Sequence, residues 1–220
     1  MARSSSVPSL QDGWQRDTFP DAFSEGATVL IASAGNPVRY DVDLHALCKY
    51  GDRTDQALIV TTTESASATL ETYERHCADT GNPAPSFVDT TATQPSVESL
   101  YGNTPVIYIP SPGDIERLVL ALSDLSENQP VTNGNRHLLI RSLTPIITST
   151  STERVCSILD RITGLRTKRG LSLLGLDYTA HDDEAVTALA RQVDGVLWVT
   201  ESSPNRLEFE YRSTDRSVLY

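Results

Sequence analysis

The segment from Gly35 to Tyr40 has the setting of a phosphate-binding loop. The apolar, β-branched run from Thr28 to Ala34 predicts a buried strand, and a helical pattern starts at Asp41. In such a setting a lysine reaches the phosphates, and a serine or threonine after it holds Mg²⁺. Both residue types are absent here, and Pro37 has no N–H to donate. The segment therefore predicts a nucleotide-binding fold more firmly than it predicts nucleotide chemistry.

The residues from His181 to Glu184 are the densest group of metal-ligand types in the chain. They read His-Asp-Asp-Glu and open a predicted helix. Consecutive residues in the first turn of a helix point in different directions, so they rarely converge on one ion. A capped, acid-rich helix start explains them better. His45, His76 and His137 are isolated in sequence, and the spacing identifies no catalytic triad. We predict neither a metal site nor a cofactor.

The charge balance is strongly acidic. The net charge is −11, and Lys49 and Lys168 are the only lysines. Carboxylate-rich surfaces with few lysines are typical of proteins that stay soluble in molar salt, where the Debye length is only ~3 Å. We expect a halophilic archaeon as the source, and an ordinary acidic protein is the alternative. Direct binding of nucleic acid is not expected, because phosphate binding needs a basic face. The short basic cluster between Arg161 and Arg169 is better explained as a solvated helix end.

The three cysteines and the hydropathy indicate the compartment. Cys48, Cys77 and Cys156 are far apart, fall inside predicted helices and form no CxxC pair. We interpret them as reduced thiols in or near the core. No apolar run approaches the ~18 residues of a membrane span, and the N-terminus has no apolar signal core. A cytoplasmic protein without a membrane segment is expected.

Apolar strands and amphipathic helices alternate along the chain. The predicted strands are 28–34, 57–62, 86–89, 106–109, 137–141, 171–176, 195–200 and 207–212, and the predicted helices are 41–50, 65–79, 115–127, 152–168 and 181–193. Residues 1–20 have no sustained periodicity and predict a flexible leader, with Trp14 and Phe19 as candidate anchors on the domain. Residues 21–220 then form one domain.

This alternation predicts an α/β fold of three layers. Continuous apolar strands are typical of a mainly parallel sheet that is covered by helices on both faces. The last two strands are joined by a short polar connection, and residues 207–212 alternate between apolar and charged. They predict a C-terminal hairpin at one edge of the sheet.

Four weak motifs in this order carry a family resemblance. They are Val60–Ser65 (VTTTES), Leu138–Thr144 (LLIRSLT), Gly170–Asp177 (GLSLLGLD) and Asp194–Leu197 (DGVL). With these motifs, the chain from about residue 22 to 212 resembles a degenerate member of the RecA-like P-loop ATPases, nearest to the KaiC-like branch. Within that branch it is similar to uncharacterised haloarchaeal proteins. The resemblance implies a RecA-like fold.

The resemblance also assigns roles to two residues. Glu64 stands where the family polarises an attacking water, and it is the candidate catalytic residue. It can act as a general base only if a triphosphate and Mg²⁺ are held opposite it. Otherwise it is the first-turn acid of a helix. Arg141 replaces the acid that holds Mg²⁺ in the family. It can bind an anion or pair with Glu64, and we favour the ion pair.

The remaining candidates could bind a phosphate or another anion. With Arg141 they form a set of five: Gly35, Asn36, Arg39, Arg141 and Ser142. Arg39 would have to replace the missing lysine, but it follows Pro37, which interrupts a tight cradle of N–H groups. We therefore interpret the loop as an ordinary strand-to-helix turn and regard a modified phosphate loop as the alternative.

The resemblance and the missing residues together suggest a function. We expect a pseudo-ATPase that acts as a regulatory or protein-interaction module, with a protein partner or a second copy bound through the edge surfaces of the domain. One alternative is an atypical, weak NTPase that uses Arg39 and Glu64. Another is a small-ligand sensor with its pocket at the carboxyl ends of the strands.

Overall fold

The computed structural model describes residues 19–21, 23–77, 81–91, 104–203 and 206–214. The strands in these residues are β1 (Thr28–Ser33), β2 (Gln56–Thr61), β3 (Ala84–Asp89), β4 (Val106–Tyr108), β5 (Arg136–Ile140), β6 (Ser172–Asp177), β7 (Gly195–Ser203) and β8 (Arg206–Ser213). The α-helices are α1 (Val42–Tyr50), α2 (Ala66–His76), α3 (Ile115–Asn128), α4 (Thr144–Ser149), α5 (Thr152–Thr163) and α6 (Asp183–Ala190). Short 3₁₀ turns cover Pro37–Tyr40 and Tyr178–Ala180.

The strands form one sheet in the order β4-β3-β2-β5-β6-β1-β7-β8. Every neighbouring pair is parallel except β7 and β8, which form the antiparallel pair at one edge. β1 is fully buried between β6 and β7, so that Ile31 lies opposite both Gly175 and Leu197. The predicted α/β fold, with its mainly parallel sheet and terminal hairpin, is confirmed.

Two apolar clusters cover the two faces of this sheet. Because strand side chains alternate in direction, Val29 and Ile31 join one cluster and Leu30 joins the other. The first cluster contains residues of α1 and α2, and the second contains residues of α3 to α6. Phe19 is buried in the first cluster, with its ring centroid 5.2 Å from that of Phe209, as expected of an anchor. Trp14, the other candidate anchor, lies outside the described residues.

Three predicted helix ends were wrong, and one helix was missed. α6 ends at Ala190 and does not continue to residue 193. α4 is only six residues long, which is too short to show a helical period in the sequence. α5 ends at Thr163, where Gly164 caps it, and does not continue to residue 168. α2 similarly ends at His76, with Cys77 as its cap.

The prediction of reduced thiols was wrong for two of the three cysteines. Cys48 and Cys77 form a disulfide, with their Cα atoms 5.9 Å apart. The helices α1 and α2 lie on the same face of the sheet, and this brings together two residues that are 29 positions apart in sequence. Cys156, in α5, is a free thiol. In the described parts of the chain, none of the helices has the length and hydropathy that a bilayer-spanning helix needs.

Candidate functional site

The loop after β1 folds onto itself. Gly35 has a left-handed backbone (φ +78°), and its N–H donates to Oδ1 of Asp177 at 2.9 Å. The segment Pro37–Tyr40 then forms a 3₁₀ turn, which the side chain of Asn36 caps by accepting the N–H of Val38 at 3.2 Å. Two N–H groups that could face a phosphate are thus bonded within the protein. This geometry agrees with a strand-to-helix turn rather than an anion cradle.

Arg39 lies at the surface and contacts residues of the loop and of β7. Its guanidinium lies 4.8 Å from the ring centroid of its neighbour Tyr40, and its Nη1 is 3.3 Å from Oε2 of Glu201. The side chain is 63% exposed. Burial, with a further contribution from Glu201, raises the pKa of Tyr40 to about 12. Arg39 therefore belongs to a surface contact between the loop and β7.

Arg141 is the centre of the candidate site. It directly follows β5, and its side chain is fully buried. Its Nε donates to Oδ2 of Asp43 at 2.9 Å, its Nη2 donates to Oδ1 of Asp41 at 2.7 Å, and its Nη1 donates to Oε1 of Glu64. The ion pair expected between Arg141 and Glu64 is therefore present. We call Arg141 with these three carboxylates the Arg141 cluster.

Further side chains hold the carboxylates in place. Oε1 of Glu64 also accepts a hydrogen bond from Oγ1 of Thr69 at 2.8 Å. Oδ2 of Asp41 lies 3.4 Å from Nε2 of His76, at the end of α2. Asp43 is only 2% exposed, so its carboxylate is held by the surrounding protein and has almost no contact with water. The cluster thus joins α1, α2 and β5 at the carboxyl ends of the strands.

Burial and charge act in opposite directions on these groups. Burial raises the pKa of Asp43 above its ordinary value, against the attraction of Arg141. Burial would also raise the pKa of Asp41, but His76 and Arg141 outweigh it and hold that pKa below its ordinary value. Burial would lower the pKa of Arg141, but the three carboxylates raise it. The guanidinium therefore stays charged inside the domain.

Asp41 stands at the position that the lysine occupies in a phosphate-binding loop. A phosphate-binding loop counted from Gly35 by its usual spacing has its lysine at position 41 and its hydroxyl residue at position 42. This chain has Asp41 and Val42 there. Arg141, in turn, stands at the position where the resemblance to RecA-like ATPases predicts a magnesium-holding acid. Compared with that expectation, the positive and negative charges are exchanged between positions 41 and 141. The sequence prediction missed Asp41 and Asp43, although counting the spacing would have identified Asp41.

The remaining candidates make hydrogen bonds within the protein. The carbonyl of Ser142 accepts the hydroxyl of Thr62 at 2.8 Å, and the serine side chain is buried. Asp182 caps α6 by accepting the N–H of Ala185 at 2.8 Å, as expected of a helix start. Within the described part of the chain, no group of three or more His, Cys, Asp or Glu residues is arranged to hold a metal ion.

A second buried polar contact, between His137 and Asp55, lies at the opposite, amino end of the strands. Nε2 of His137 is 3.0 Å from Oδ2 of Asp55, and Nδ1 of His137 accepts the N–H of Leu171 at 3.0 Å. Both ring nitrogens are occupied, so His137 has no free nitrogen for acid–base catalysis. A cavity of about 430 Å³ adjoins this pair, and a cavity of about 640 Å³ lies between α5 and α6. Both cavities are away from the Arg141 cluster.

Comparison with known proteins supports the fold. The uncharacterised protein PH0321 of Pyrococcus horikoshii, solved with an unknown peptide, is 14% identical in sequence, and the two structures superpose with a TM-score of 0.60. The match covers 87% of this chain and 84% of the PH0321 chain. The KaiC-like protein PH0186 of P. horikoshii OT3 is 13% identical, with a TM-score of 0.51, and the match covers 88% of this chain and 82% of the PH0186 chain. The flagellar accessory protein FlaH of Methanocaldococcus jannaschii is 9% identical, with a TM-score of 0.50, and the match covers 90% of this chain and 81% of the FlaH chain. None of the curated proteins matches the chain. A family model described as a family of unknown function, DUF7504, matches residues 26–199.

Proposed function

Because the chain belongs to DUF7504, a family of unknown function, we propose a role from the site itself: the protein is a non-catalytic RecA/KaiC-like domain that acts as a regulatory or protein-interaction module. The observation that carries this proposal is the ion pair between Asp41 and Arg141. It occupies the two positions from which a related ATPase would hold the phosphates and the metal ion.

Phosphoryl transfer is catalysed almost entirely by positioned charge and correct placement. In this domain a triphosphate would face Asp41, Asp43 and Glu64, and Mg²⁺ would face Arg141. Both interactions are repulsive. Binding MgATP in the usual way would also separate Arg141 from its carboxylates and leave buried charges without partners, which costs several kcal/mol. The cluster therefore supports a loss of nucleotide chemistry.

A domain that has lost its chemistry can still keep a contact surface. RecA-like domains commonly pair edge to edge, and the structural neighbour PH0321 was solved with a peptide. Both facts support a polypeptide, either a second copy or another protein, as the partner. The net charge of −11 with only two lysines supports a halophilic archaeon as the host, and we propose the cytoplasm as the location.

Nucleotide binding is the first test. Isothermal titration calorimetry of the folded protein with MgATP and MgGTP in about 2 M KCl, where surface charge is screened, should give no binding heat. The positive control is a RecA-like ATPase with an intact phosphate loop, titrated in the same buffer. Mg²⁺-dependent binding followed by turnover would contradict the proposal and favour the atypical NTPase.

Protein contact is the second test. Sedimentation in the same salt should show either a stable dimer or a monomer. If the protein is a monomer, crosslinking in the host cell should recover it with one defined partner protein. The partner should be the same when Arg154, which lies in α5 on the face of the sheet opposite α1 and α2, is replaced by alanine. A monomer that yields no reproducible crosslinked partner would contradict an interaction role.

A further inference from the structure

The Cys48–Cys77 disulfide joins the two helices that carry the Arg141 cluster. Cys48 lies in the second half of α1, and Cys77 caps the end of α2. The chain between the two cysteines contains β2, Glu64 and the whole of α2. We propose that this disulfide is a reversible redox switch, which sets how firmly the end of α2 is held against α1 and against the Arg141 cluster.

The end of α2 contacts the cluster directly. His76 precedes Cys77, and its Nε2 lies 3.4 Å from Oδ2 of Asp41. The other carboxylate oxygen of Asp41 accepts the bond from Arg141 at 2.7 Å. When the disulfide opens, the last turn of α2 loses its covalent link to α1. The contact between His76 and Asp41 then depends on weak, partly exposed interactions alone.

The fold does not require the disulfide. α1 buries Leu44 and Leu47 against the sheet, and α2 buries Ala66 and Tyr73 in the same apolar cluster. The hydroxyl of Tyr73 also donates to the carbonyl of Pro83 at 2.7 Å. These contacts persist after reduction, so the reduced protein stays folded and the change is confined to the end of α2.

The partial exposure of Cys48 favours exchange of the disulfide with small thiols. Cys48 is half-buried, whereas Cys77 is 2% exposed. A low-molecular-weight thiolate attacks the sulfur of Cys48, forms a mixed disulfide there and expels the thiolate of Cys77, which takes up a proton. A second thiol releases Cys48 as a thiol and leaves as the oxidised disulfide. The protein gains two electrons and two protons, and the two small thiols supply them.

The proposed cytoplasmic location supports a reversible disulfide, because disulfides in reducing compartments are usually transient, catalytic or redox-sensing. The inference rests on that location and not on the absence of nucleotide chemistry. A domain that hydrolysed ATP could carry the same switch, so the two proposals fail separately.

The experiment uses the full chain in about 2 M KCl, equilibrated in mixtures of reduced and oxidised dithiothreitol. Alkylation after an acid quench, read by mass spectrometry, should show one label in the oxidised state, at Cys156, and three in the reduced state. Hydrogen exchange should show the amides in the last turns of α2 exchanging about tenfold faster after reduction. The amides of β1 and β5 should keep their protection.

Two variants separate the switch from other effects. Cys48→Ser should show fast exchange at the end of α2 in every mixture, and Cys156→Ser should respond to reduction as the wild type does. Unchanged exchange in α2 after reduction would show that the disulfide is inert. Loss of protection throughout the sheet would show a structural disulfide instead of a switch. Failure of the disulfide to re-form in any mixture would also overturn the proposal.

Discussion

Nη2 of Arg141 lies 2.7 Å from Oδ1 of Asp41, although the two residues are 100 positions apart in sequence. The contact joins the end of β5 to the start of α1. Asp41 has a left-handed backbone conformation there, with φ +49°, which few residues other than glycine adopt. An asparagine or aspartate tolerates this conformation best, so position 41 combines a backbone constraint with the charge that Arg141 requires.

Replacement of Arg141 should be strongly destabilising. In Arg141→Met the carboxylate of Asp43 would stay buried without its cation, and breaking a buried ion pair costs about 3–5 kcal/mol. Chemical denaturation in high salt measures the free energy of unfolding. The matched control is Arg154→Ala, because Arg154 pairs with Glu116 at the surface, where an ion pair contributes at most about 1 kcal/mol. Equal losses in the two variants would contradict the importance of the cluster.

The same variant should respond to pH in a defined direction. Burial already raises the pKa of Asp43 in the wild type, and loss of the arginine removes the opposing attraction. A carboxyl with a raised folded-state pKa binds its proton more readily in the folded than in the unfolded protein, so stability rises as the pH falls through that pKa. The deficit of Arg141→Met should therefore shrink on acidification. A deficit that is constant with pH would show that packing, not charge, causes the loss.

Asp55→Asn should remove an acid-sensitive part of the stability. Burial alone would raise the pKa of Asp55, but hydrogen bonds from His137 and from two backbone N–H groups outweigh it and hold the pKa below its ordinary value. This contribution is present at neutral pH and is lost as the pH falls below about 4. The variant should lose about 1–3 kcal/mol at neutral pH, because an amide N–H would face a donor.

The difference between Asp55→Asn and the wild type should therefore decrease between pH 5 and pH 3, a range chosen to bracket the carboxyl titration at about 4. Denaturation curves at each pH measure it. Glu71→Gln, at an exposed pair with Arg75, provides a control that should stay close to the wild type throughout. A difference that grew on acidification would reverse the assigned sign and exclude the proposed pairing.

Salt should stabilise the whole domain. The net charge of −11 makes the folded chain repel itself, and this repulsion is nearly fully screened at about 2 M KCl. The thermal unfolding midpoint should rise steeply between low salt and that concentration. Parallel scans in sucrose would separate screening from general exclusion of solutes. A midpoint that does not change with KCl would show that the acidity has no role in stability.

The strands of the sheet could be predicted from the sequence, whereas the ion pairs of Arg141 could be predicted only in part. Runs such as residues 29–32 are apolar at every position, which is typical of a strand covered on both sides, so the central strands could be located. The partners of Arg141 were harder to predict. Glu64 was expected from strand order, whereas Asp41 and Asp43 depend on how the 3₁₀ turn aims the start of α1.

The disulfide was missed for a similar reason. A separation of 29 residues does not determine the distance between Cys48 and Cys77, because that distance depends on the angle and offset at which α1 and α2 pack on the sheet. Periodicity shows which face of a helix is buried and does not show its position relative to a neighbouring helix. Contacts between helices on one face therefore had to come from the structure.

Glu64→Gln tests whether the carboxylate at the end of β2 has a catalytic role. In the structure, one oxygen of Glu64 binds both Arg141 and Oγ1 of Thr69. A glutamine oxygen can accept the same bonds, although it lacks the charge. The variant should therefore lose only about 1 kcal/mol of stability, less than Arg141→Met. ATP turnover should be at background in both the wild type and Glu64→Gln, because among the described residues around Arg141 we find none that takes the place of the phosphate-loop lysine or of the metal-holding acid. A phosphate-release assay with Mg²⁺ in high salt measures this, and Glu71→Gln is the matched control. Reproducible turnover by the wild type that is abolished in Glu64→Gln and kept in Glu71→Gln would contradict the non-catalytic assignment and identify Glu64 as a general base.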